Sequence, residues 1–214
     1  MRKRTDNPGK SGVTHPSMET RVADNRGRPR SSESTSAILE ATLRLLKEHA
    51  LRDITIEMIA QSAGVGKTTI YKWWPSKAFV ALEAFGLEMR RDVLIPDTGS
   101  AERDFSEQLQ SVIKFYTSKT GSIFSQFLAE CQSDAEFAAL FRERFLLPRR
   151  AAVQVIWERG VARKQIDSTI DMDTGLDLIY GPMIFRLMAG HALLNAKEAA
   201  GIVAAAFRGL GTKS

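Results

Sequence analysis

Residues 55–77 read TIEMIAQSAGVGKTTIYKWWPSK, and they determine how the surrounding region is expected to fold. Thr55 can cap a short helix, and Gly64 can end that helix in a left-handed conformation. A second short helix is predicted over 67–74. Small residues in a first helix, a glycine turn and a polar second helix are together typical of a helix-turn-helix, whose second helix enters the major groove of DNA.

The second of these helices is expected to present a polar face away from the core. Ile70 and Trp74 fall on its buried side, so its lysine and threonine side chains point outward, where they can hydrogen-bond base edges and phosphates. A plain helical hairpin with a solvated polar face would show the same generic features. These features alone leave both interpretations open.

The stretch GVGKTTIYKWWPSK, residues 64–77, resembles the signature of TetR/AcrR-family transcriptional regulators. In that signature a Gly-Val turn precedes a helix with a hydroxyl residue, an apolar residue and a tyrosine, and an aromatic pair and Ser-Lys follow. The resemblance covers about residues 34–80. Three positions depart from it: Gly66 replaces the usual Ser/Thr cap, Trp74 the usual Phe, and Ala78 a common Glu.

The resemblance implies which side chains contact DNA. Thr55, Tyr71 and Lys77 would contact backbone phosphates, whereas Lys72 and Trp73 occupy variable exposed positions and would set the sequence preference. The full set implied is Thr55, Lys67, Thr68, Thr69, Tyr71, Lys72, Trp73 and Lys77.

The excess positive charge of the 214-residue chain lies in a short N-terminal segment. The net charge is +5, and the first 30 residues hold eight basic and three acidic side chains, so the remainder sums to zero. Few of these residues are apolar, which predicts a disordered basic arm over 1–31. Arg26, Arg28 and Arg30 alternate with Gly and Pro, resemble an AT-hook core and are expected to enter a minor groove. A solubilising tail is the alternative.

The rest of the chain is predicted to be all-α, with about nine helices and no convincing alternating strand. The run Pro-Asp-Thr-Gly at 96–99 breaks the helical pattern. We therefore expect a three-helix helix-turn-helix domain over 32–95 and a helical bundle for ligand binding and dimerisation over 96–214. Within that bundle, Ser133 is expected to cap the seventh helix and Pro148 to kink or split it.

The C-terminal bundle is rich in aromatic and methionine side chains, which can line a pocket for a small-molecule effector. For any single residue, core packing explains the pattern as well. Arg186 fits ligand pairing and an inter-subunit ion pair equally well. The pocket candidates are Phe124, Phe127, Trp157, Tyr180, Met183 and Arg186.

The last helix has an unusually small surface, which would let a second helix approach closely. We expect it to form a homodimer together with the preceding helix, although a tight intrachain contact is the alternative. A two-fold dimer would place two recognition helices about 34 Å apart and read a pseudo-palindromic operator. The interface candidates are Met188, Ala200, Ala204 and Phe207.

Other functional classes find little support in the sequence. The single cysteine, Cys131, excludes an internal disulfide framework and a Cys-based zinc site, and the three histidines have no metal or triad spacing. The Gly-Lys-Thr at 66–68 imitates the end of a P-loop, but Gln61 stands where that motif needs glycine. No apolar run is long enough to span a membrane.

The sequence therefore predicts a cytoplasmic, non-enzymatic and ligand-responsive homodimeric repressor without metal or cofactor. Its expected partners are double-stranded operator DNA, a second copy of itself and an unidentified small-molecule effector. A helical ligand-binding or adaptor protein with a vestigial helix-turn-helix is the alternative from another class.

Deleting residues 1–30 is expected to weaken operator binding and to flatten its salt dependence, because each lost phosphate neutralisation lowers the log–log slope by about 0.9. Binding isotherms of the full and truncated chains at several salt concentrations measure this slope. An unchanged slope would contradict the groove-arm interpretation and favour a solubilising tail.

Overall fold

The computed structural model describes residues 32–93 and 95–211, and within these ranges the chain is all-α. A 3₁₀ turn at Leu51–Asp53 follows the first helix, and a π turn at Arg142–Leu146 joins the seventh helix to the eighth. The α-helices are α1 (Ser32–Glu48), α2 (Ile56–Ala63), α3 (Lys67–Tyr71), α4 (Lys77–Asp92), α5 (Ala101–Tyr116), α6 (Ile123–Ser133), α7 (Ala135–Phe141), α8 (Leu147–Ala162), α9 (Met172–Ala189) and α10 (Ala196–Leu210).

An N-terminal helix-turn-helix domain precedes a C-terminal helical domain. When α7, the π turn and α8 are counted as one continuous run, the described ranges hold nine helices, as the sequence predicted. The predicted arm over 1–31, with Arg26, Arg28 and Arg30, lies outside the described residues.

The helix-turn-helix forms around α1, which packs against both α2 and α4. Ile38 of α1, Ile59 of α2 and Ile70 of α3 are almost completely buried together. The α2 helix begins where the Thr55 hydroxyl accepts a hydrogen bond from the Met58 N–H at 3.2 Å. It ends at Gly64, whose φ of +66° is a conformation that favours glycine.

The recognition helix α3 is shorter than the predicted 67–74, because it ends at Tyr71. Trp74 precedes Pro75, and a residue before proline is disfavoured in the helical conformation. The indole of Trp74 is instead buried, and its Nε1–H donates to Glu83 Oε2 of α4 at 2.7 Å. This contact ties the end of the recognition helix to α4.

Phe85, in the middle of α4, packs this helix against the C-terminal domain. It is fully buried, and its three nearest aromatic rings are Phe115 of α5 at 5.4 Å between centroids, Phe127 of α6 at 5.2 Å and Phe145 of the π turn at 5.5 Å. Such contacts follow the tilted and edge-on geometry that aromatic rings prefer. The helix that follows the recognition helix is therefore part of both domains.

The predicted break at Pro148 takes the form of a π turn. Proline has no N–H for the helical ladder, and its ring collides with the carbonyl group four residues earlier, which is that of Arg144. The wider π turn at Arg142–Leu146 accommodates this clash, and Pro148 then lies in the first turn of α8, where its missing donor costs little.

The cap of α7 differs from the prediction by one residue. Asp134, and not Ser133, accepts the hydrogen bond from the Phe137 N–H, at 2.9 Å. Ser133 still belongs to the last turn of α6, where its hydroxyl donates to the Glu130 carbonyl oxygen. The α6 and α7 helices therefore meet with a single residue between them.

The segment between α4 and α5 is held by the end of α8. Asp97 pairs with Arg159 at 2.9 Å and with Arg163 at 2.8 Å, and the Arg163 and Arg159 guanidinium groups hold the pKa of the Asp97 carboxyl below its ordinary value. The Gln165 amide accepts from the Ala101 N–H at 2.8 Å and donates to the Gly99 carbonyl oxygen at 2.9 Å. The helical pattern breaks where predicted, yet this segment is firmly bound.

Candidate nucleic-acid interface and effector cavity

The α3 helix presents its polar side chains to solvent. Lys67, Thr68 and Lys72 are exposed and Thr69 is half-buried, whereas Ile70 faces the core. The helix is thus amphipathic over little more than one turn, and its outer face carries donors and acceptors that can bind base edges or phosphates.

Two aromatic side chains next to this face are unusually open to water. Tyr71 is 53% exposed and Trp73 is 40% exposed. The Lys72 ammonium lies 5.2 Å from the centroid of the Trp73 ring, which is within the range of a cation–π contact. Two exposed aromatic side chains beside a lysine suit a surface that is covered on binding.

Lys67, at the start of α3, is paired with an acid of α2. Its Nζ donates to Glu57 Oε1 at 2.9 Å, and both side chains are more than half exposed. The hydrogen bond lowers the pKa of Glu57 and raises that of Lys67. Because exposed ion pairs contribute little to stability, Lys67 can exchange this partner for a phosphate.

Lys77, the first residue of α4 and an expected phosphate contact, binds the backbone of its own chain in the absence of DNA. Its ammonium donates to three backbone carbonyl oxygens of the segment between α1 and α2: Leu51 at 3.1 Å, Arg52 at 2.8 Å and Ile54 at 2.8 Å. An ammonium group has three donors, so these contacts occupy all of them. The side chain therefore fixes the turn between α1 and α2 against the start of α4.

The same turn is held from the other side by the C-terminal domain. The Leu51 N–H donates to Gln126 Oε1 of α6 at 2.9 Å. Gln126 was missed by sequence reasoning because its partner lies 75 residues away and nothing in its local pattern marks it. Leu51 thus contacts both Lys77 and Gln126 through its own peptide groups.

Residues 38–84 match the family described as "Bacterial regulatory proteins, tetR family", and residues 95–206 match "Tetracyclin repressor-like, C-terminal domain". A relative, the uncharacterized HTH-type transcriptional regulator YdeS of Bacillus subtilis, is 34% identical over 189 residues, which cover 88% of this chain and 96% of that protein. The chain belongs to the TetR family. It is a DNA-binding transcriptional regulator and not an enzyme.

Solved structures agree with this assignment. The TetR-family transcription regulator SCO0332 superimposes with a TM-score of 0.75 at 27% identity, over 84% of this chain and 100% of that one. FadR from Bacillus subtilis, solved in complex with stearoyl-CoA, gives a TM-score of 0.63 over 82% of this chain and 98% of that one. At 16% identity, the second likeness shows the fold alone.

The C-terminal domain of this TetR-family chain contains a cavity of about 500 Å³. Met89 of α4, Tyr116 of α5 and Arg149 of α8 are among its lining residues. Of the six predicted pocket residues, the structure places Phe124, Tyr180 and Met183 on its wall. The Tyr180 hydroxyl donates to Gln108 Oε1 at 2.6 Å, and burial raises the pKa of Tyr180.

The other three predicted pocket residues lie elsewhere. Phe127 is packed against Phe85, and the ring of Trp157 lies so close to Gly175 of α9 that a Cβ there would overlap it. Arg186 donates to Glu198 Oε2 of α10 at 2.6 Å within the same chain. Core packing and an intrachain ion pair therefore account for these side chains.

The predicted interface residues are distributed over several surfaces. Met188 is 46% exposed and also lines the cavity, and Ala200 is exposed. Ala204 is half-buried, and Phe207 packs against Phe105 of α5 at 6.1 Å. A groove between α9 and α10 instead involves neighbouring positions. It is lined by Leu178, Pro182, Arg186, Glu198, Gly201, Ile202, Ala205 and Ala206.

The described residues contain neither a cluster of metal ligands nor a membrane-spanning helix. Over 32–93 and 95–211, no three or more His, Cys, Asp or Glu side chains cluster so that they could hold a metal ion. Each helix in the same ranges is too short or too polar to cross a membrane.

Replacing Lys77 with methionine is expected to lower the free energy of unfolding by about 1–3 kcal/mol, because partly buried carbonyl groups lose their donor. DNA affinity should also fall, since the turn and α4 are no longer joined. The slope of log affinity against log salt should stay unchanged, because three carbonyl oxygens already occupy the donors of this ammonium. Urea denaturation and binding at several salt concentrations measure these quantities.

The matched control is Lys72→Met, the same substitution at an exposed position of the recognition face. It should leave stability nearly unchanged and reduce the salt slope by about 0.9. If K77M instead kept its stability and lost that slope, Lys77 would be a phosphate contact and not a positioning residue.

Proposed function

We propose that this TetR-family regulator is a cytoplasmic homodimeric repressor, which binds a pseudo-palindromic operator and releases it when a small molecule occupies the cavity. One observation carries the proposal: Met89, on the wall of the cavity, belongs to α4, the helix that begins directly after the recognition segment. Occupancy of the cavity and the position of the recognition helix are thereby linked through one rigid element.

The DNA-contacting surface proposed here is the outer face of α3 with its flanks. The exposure of Tyr71, Lys72 and Trp73 supports it, as does the readily exchanged pair of Lys67 and Glu57. Thr55, Thr68 and Thr69 complete this surface, and Arg26, Arg28 and Arg30 of the arm are proposed to bind the adjacent minor groove. Lys77 contributes by fixing the turn before α2.

The coupling is proposed to run through both ends of α4. Near the C-terminal end, the Tyr116 hydroxyl lies 3.8 Å from the Met89 sulfur, so a ligand against Tyr116 also meets α4. At the other end, roughly 18 Å away along the helix axis, Lys77 grips the turn at 51–53. Gln126 of α6 grips the same turn, so α4 and α6 must keep their relative positions for the turn to stay in place. Such a link amounts to a coupling free energy between two sites.

The likeness to solved relatives favours a ligand response. FadR from Bacillus subtilis was solved with stearoyl-CoA, and another protein of this fold, at 17% identity, is described as the flavonoid-responsive regulator FrrA. For this chain, the supporting feature is its own cavity, which lies in the size range of about 300–1,000 Å³ that is usual for small-molecule sites.

The homodimer is proposed to form across α9 and α10. Leu178 is 53% exposed and Phe185 is 66% exposed, although both are apolar and lie on α9. The groove beside Leu178 has the small residues Gly201 and Ala205 of α10 on its wall, which permit close helix approach. A cluster of exposed apolar residues of this kind marks a surface that a partner covers.

Substituting Tyr71 and Lys72 together with alanine is expected to abolish specific binding to the region upstream of this regulator's own gene, because both lie on the proposed contact face. A gel-shift assay with that fragment measures binding, and a transcriptional reporter on the same fragment should become more active. The control is Lys197→Ala, which removes an equal charge from an exposed position of α10. Lack of specific binding by the wild type would favour the adaptor alternative.

Replacing Leu178 with glutamate is expected to convert the dimer to monomer, because a carboxylate would be buried without a partner in the proposed interface. Sedimentation at micromolar protein measures the mass. The matched control is Val155→Glu on α8, an apolar side chain of similar exposure (47%) outside the groove, which should stay dimeric. Equal masses for the two variants would place the interface elsewhere.

A further inference from the structure

The charged groups of the cavity are unequally compensated. Most of the wall is apolar, and the ionisable side chains on it, apart from the tyrosines, are Arg149, Arg150 and Asp177. Arg150 donates to Asp173 Oδ1 at 2.6 Å and to Asp177 Oδ1 at 2.7 Å, so both Arg150 and Asp177 are paired. Arg149 is the third charged group on the wall.

Arg149 has no such partner. Among the described residues, no hydrogen bond or ion pair reaches its guanidinium, although the side chain is half-buried on the cavity wall. Of the described acidic groups, only the hydroxyls of Tyr116 and Tyr180 act on it electrostatically, and both are neutral because burial raises their pKa values. Burial lowers the pKa of Arg149 from its ordinary value, and the exposed Arg90 nearby lowers it further. Even so, a guanidinium stays charged at neutral pH.

An unpaired cation on an apolar wall is costly to the folded protein. Buried charges in proteins are usually paired, and partial removal from water without a partner is unfavourable. Arg149 contributes no contact that would offset this cost in the free chain, and Arg90 adds to the positive potential. An anion that entered the cavity would supply the partner that Arg149 lacks.

We propose that the effector is an apolar monocarboxylate, whose carboxylate pairs with the Arg149 guanidinium and whose hydrocarbon body lies against Phe124, Val112 and Met183. The regulatory consequence of this binding rests on the proposed function. The binding itself is inferred separately, from the uncompensated charge of Arg149 on the cavity wall. A carboxylate matches one guanidinium in charge and in its planar two-point geometry, whereas a phosphate carries nearly two charges and three equivalent oxygens.

The ligand also needs to fit the polar groups that remain. The Tyr180 hydroxyl donor and the Gln108 carbonyl oxygen are used by each other, and most of the remaining wall is apolar. This distribution suits a molecule with one charged end and an uncharged body. A zwitterion would bring a cation with no free acid to meet it, because Asp177 is held by Arg150.

Calorimetric titration of the full-length protein with two matched pairs of probes tests the proposal. The pairs are decanoate with decanamide, and 2-naphthoate with 2-naphthamide, which share a body and differ in charge. At least one acid should bind the wild type about tenfold or more tightly than its amide, because a hydrogen bond to a charged group is the stronger one. If neither acid is favoured over its amide, the proposal is overturned.

The variant Arg149→Met should weaken binding of the favoured acid by about 10- to 100-fold and leave its amide unchanged or bound more tightly. Arg149→Lys, which keeps the charge, should restore part of the preference. The control Arg144→Met removes an exposed arginine from the same helical run and should change neither probe. Equal loss of acid and amide in R149M would mean a structural role and overturn the proposal. Binding of decanoyl-CoA without binding of decanoate would overturn it too.

Gel shifts with the ligand-free protein separate this inference from the proposed function. If operator binding is intact while the acids show no dependence on Arg149, only the carboxylate assignment fails. If the acids bind through Arg149 but no specific DNA binding occurs, the proposed function fails and the cavity assignment stands.

Discussion

The packing of Phe85 between Phe115, Phe127 and Phe145 is the constraint on which the rest of the molecule depends. Helix α4 would otherwise be a simple extension of the DNA-binding domain, with one face on α1. Because a fully buried aromatic ring cannot slide without opening a void, α4 moves only together with the helices that surround it. The recognition helix α3 is joined to α4, and the C-terminal domain sets the position of α4. Long-range control of DNA binding is therefore possible in so small a chain.

The local features of the fold could be predicted from the sequence, because short-range chemistry determines them. Thr55 and Gly64 cap the two ends of α2 as expected, and Ile70 faces the core as its spacing indicated. The structure differs from the expectation where a neighbouring group competes: Trp74 leaves the helix because of Pro75, and Asp134 caps α7 in place of Ser133. These differences amount to one to three residues and leave the architecture intact.

The contacts that join distant parts of the chain could not be predicted in this way. The sequence position of Lys77 resembles that of a phosphate-binding lysine. Only the folded chain brings the three carbonyl groups of 51–54 to its ammonium. Arg149 has no distinctive sequence context, since Arg150 follows it directly and the two differ only in what surrounds them. Conversely, Trp157 and Phe127 are of residue types that often line a pocket, but in the structure they belong to the core. Residue type suggests which side chains can line a cavity, and packing decides which of them do.

The π turn before α8 has a further consequence for the cavity. Each residue of an α-helix turns the following side chains by about 100°, so the wider turn at Arg142–Leu146 changes the phase of α8 relative to α7 by roughly that angle. Without it, a continuous helix through Phe141 would present a different face of α8 inward, and neither Arg149 nor Val153 would keep its present direction. Pro148, which forces this irregularity, thus sets the rotation of α8 about its axis. The residues that line the cavity are therefore determined partly by a backbone irregularity one turn away.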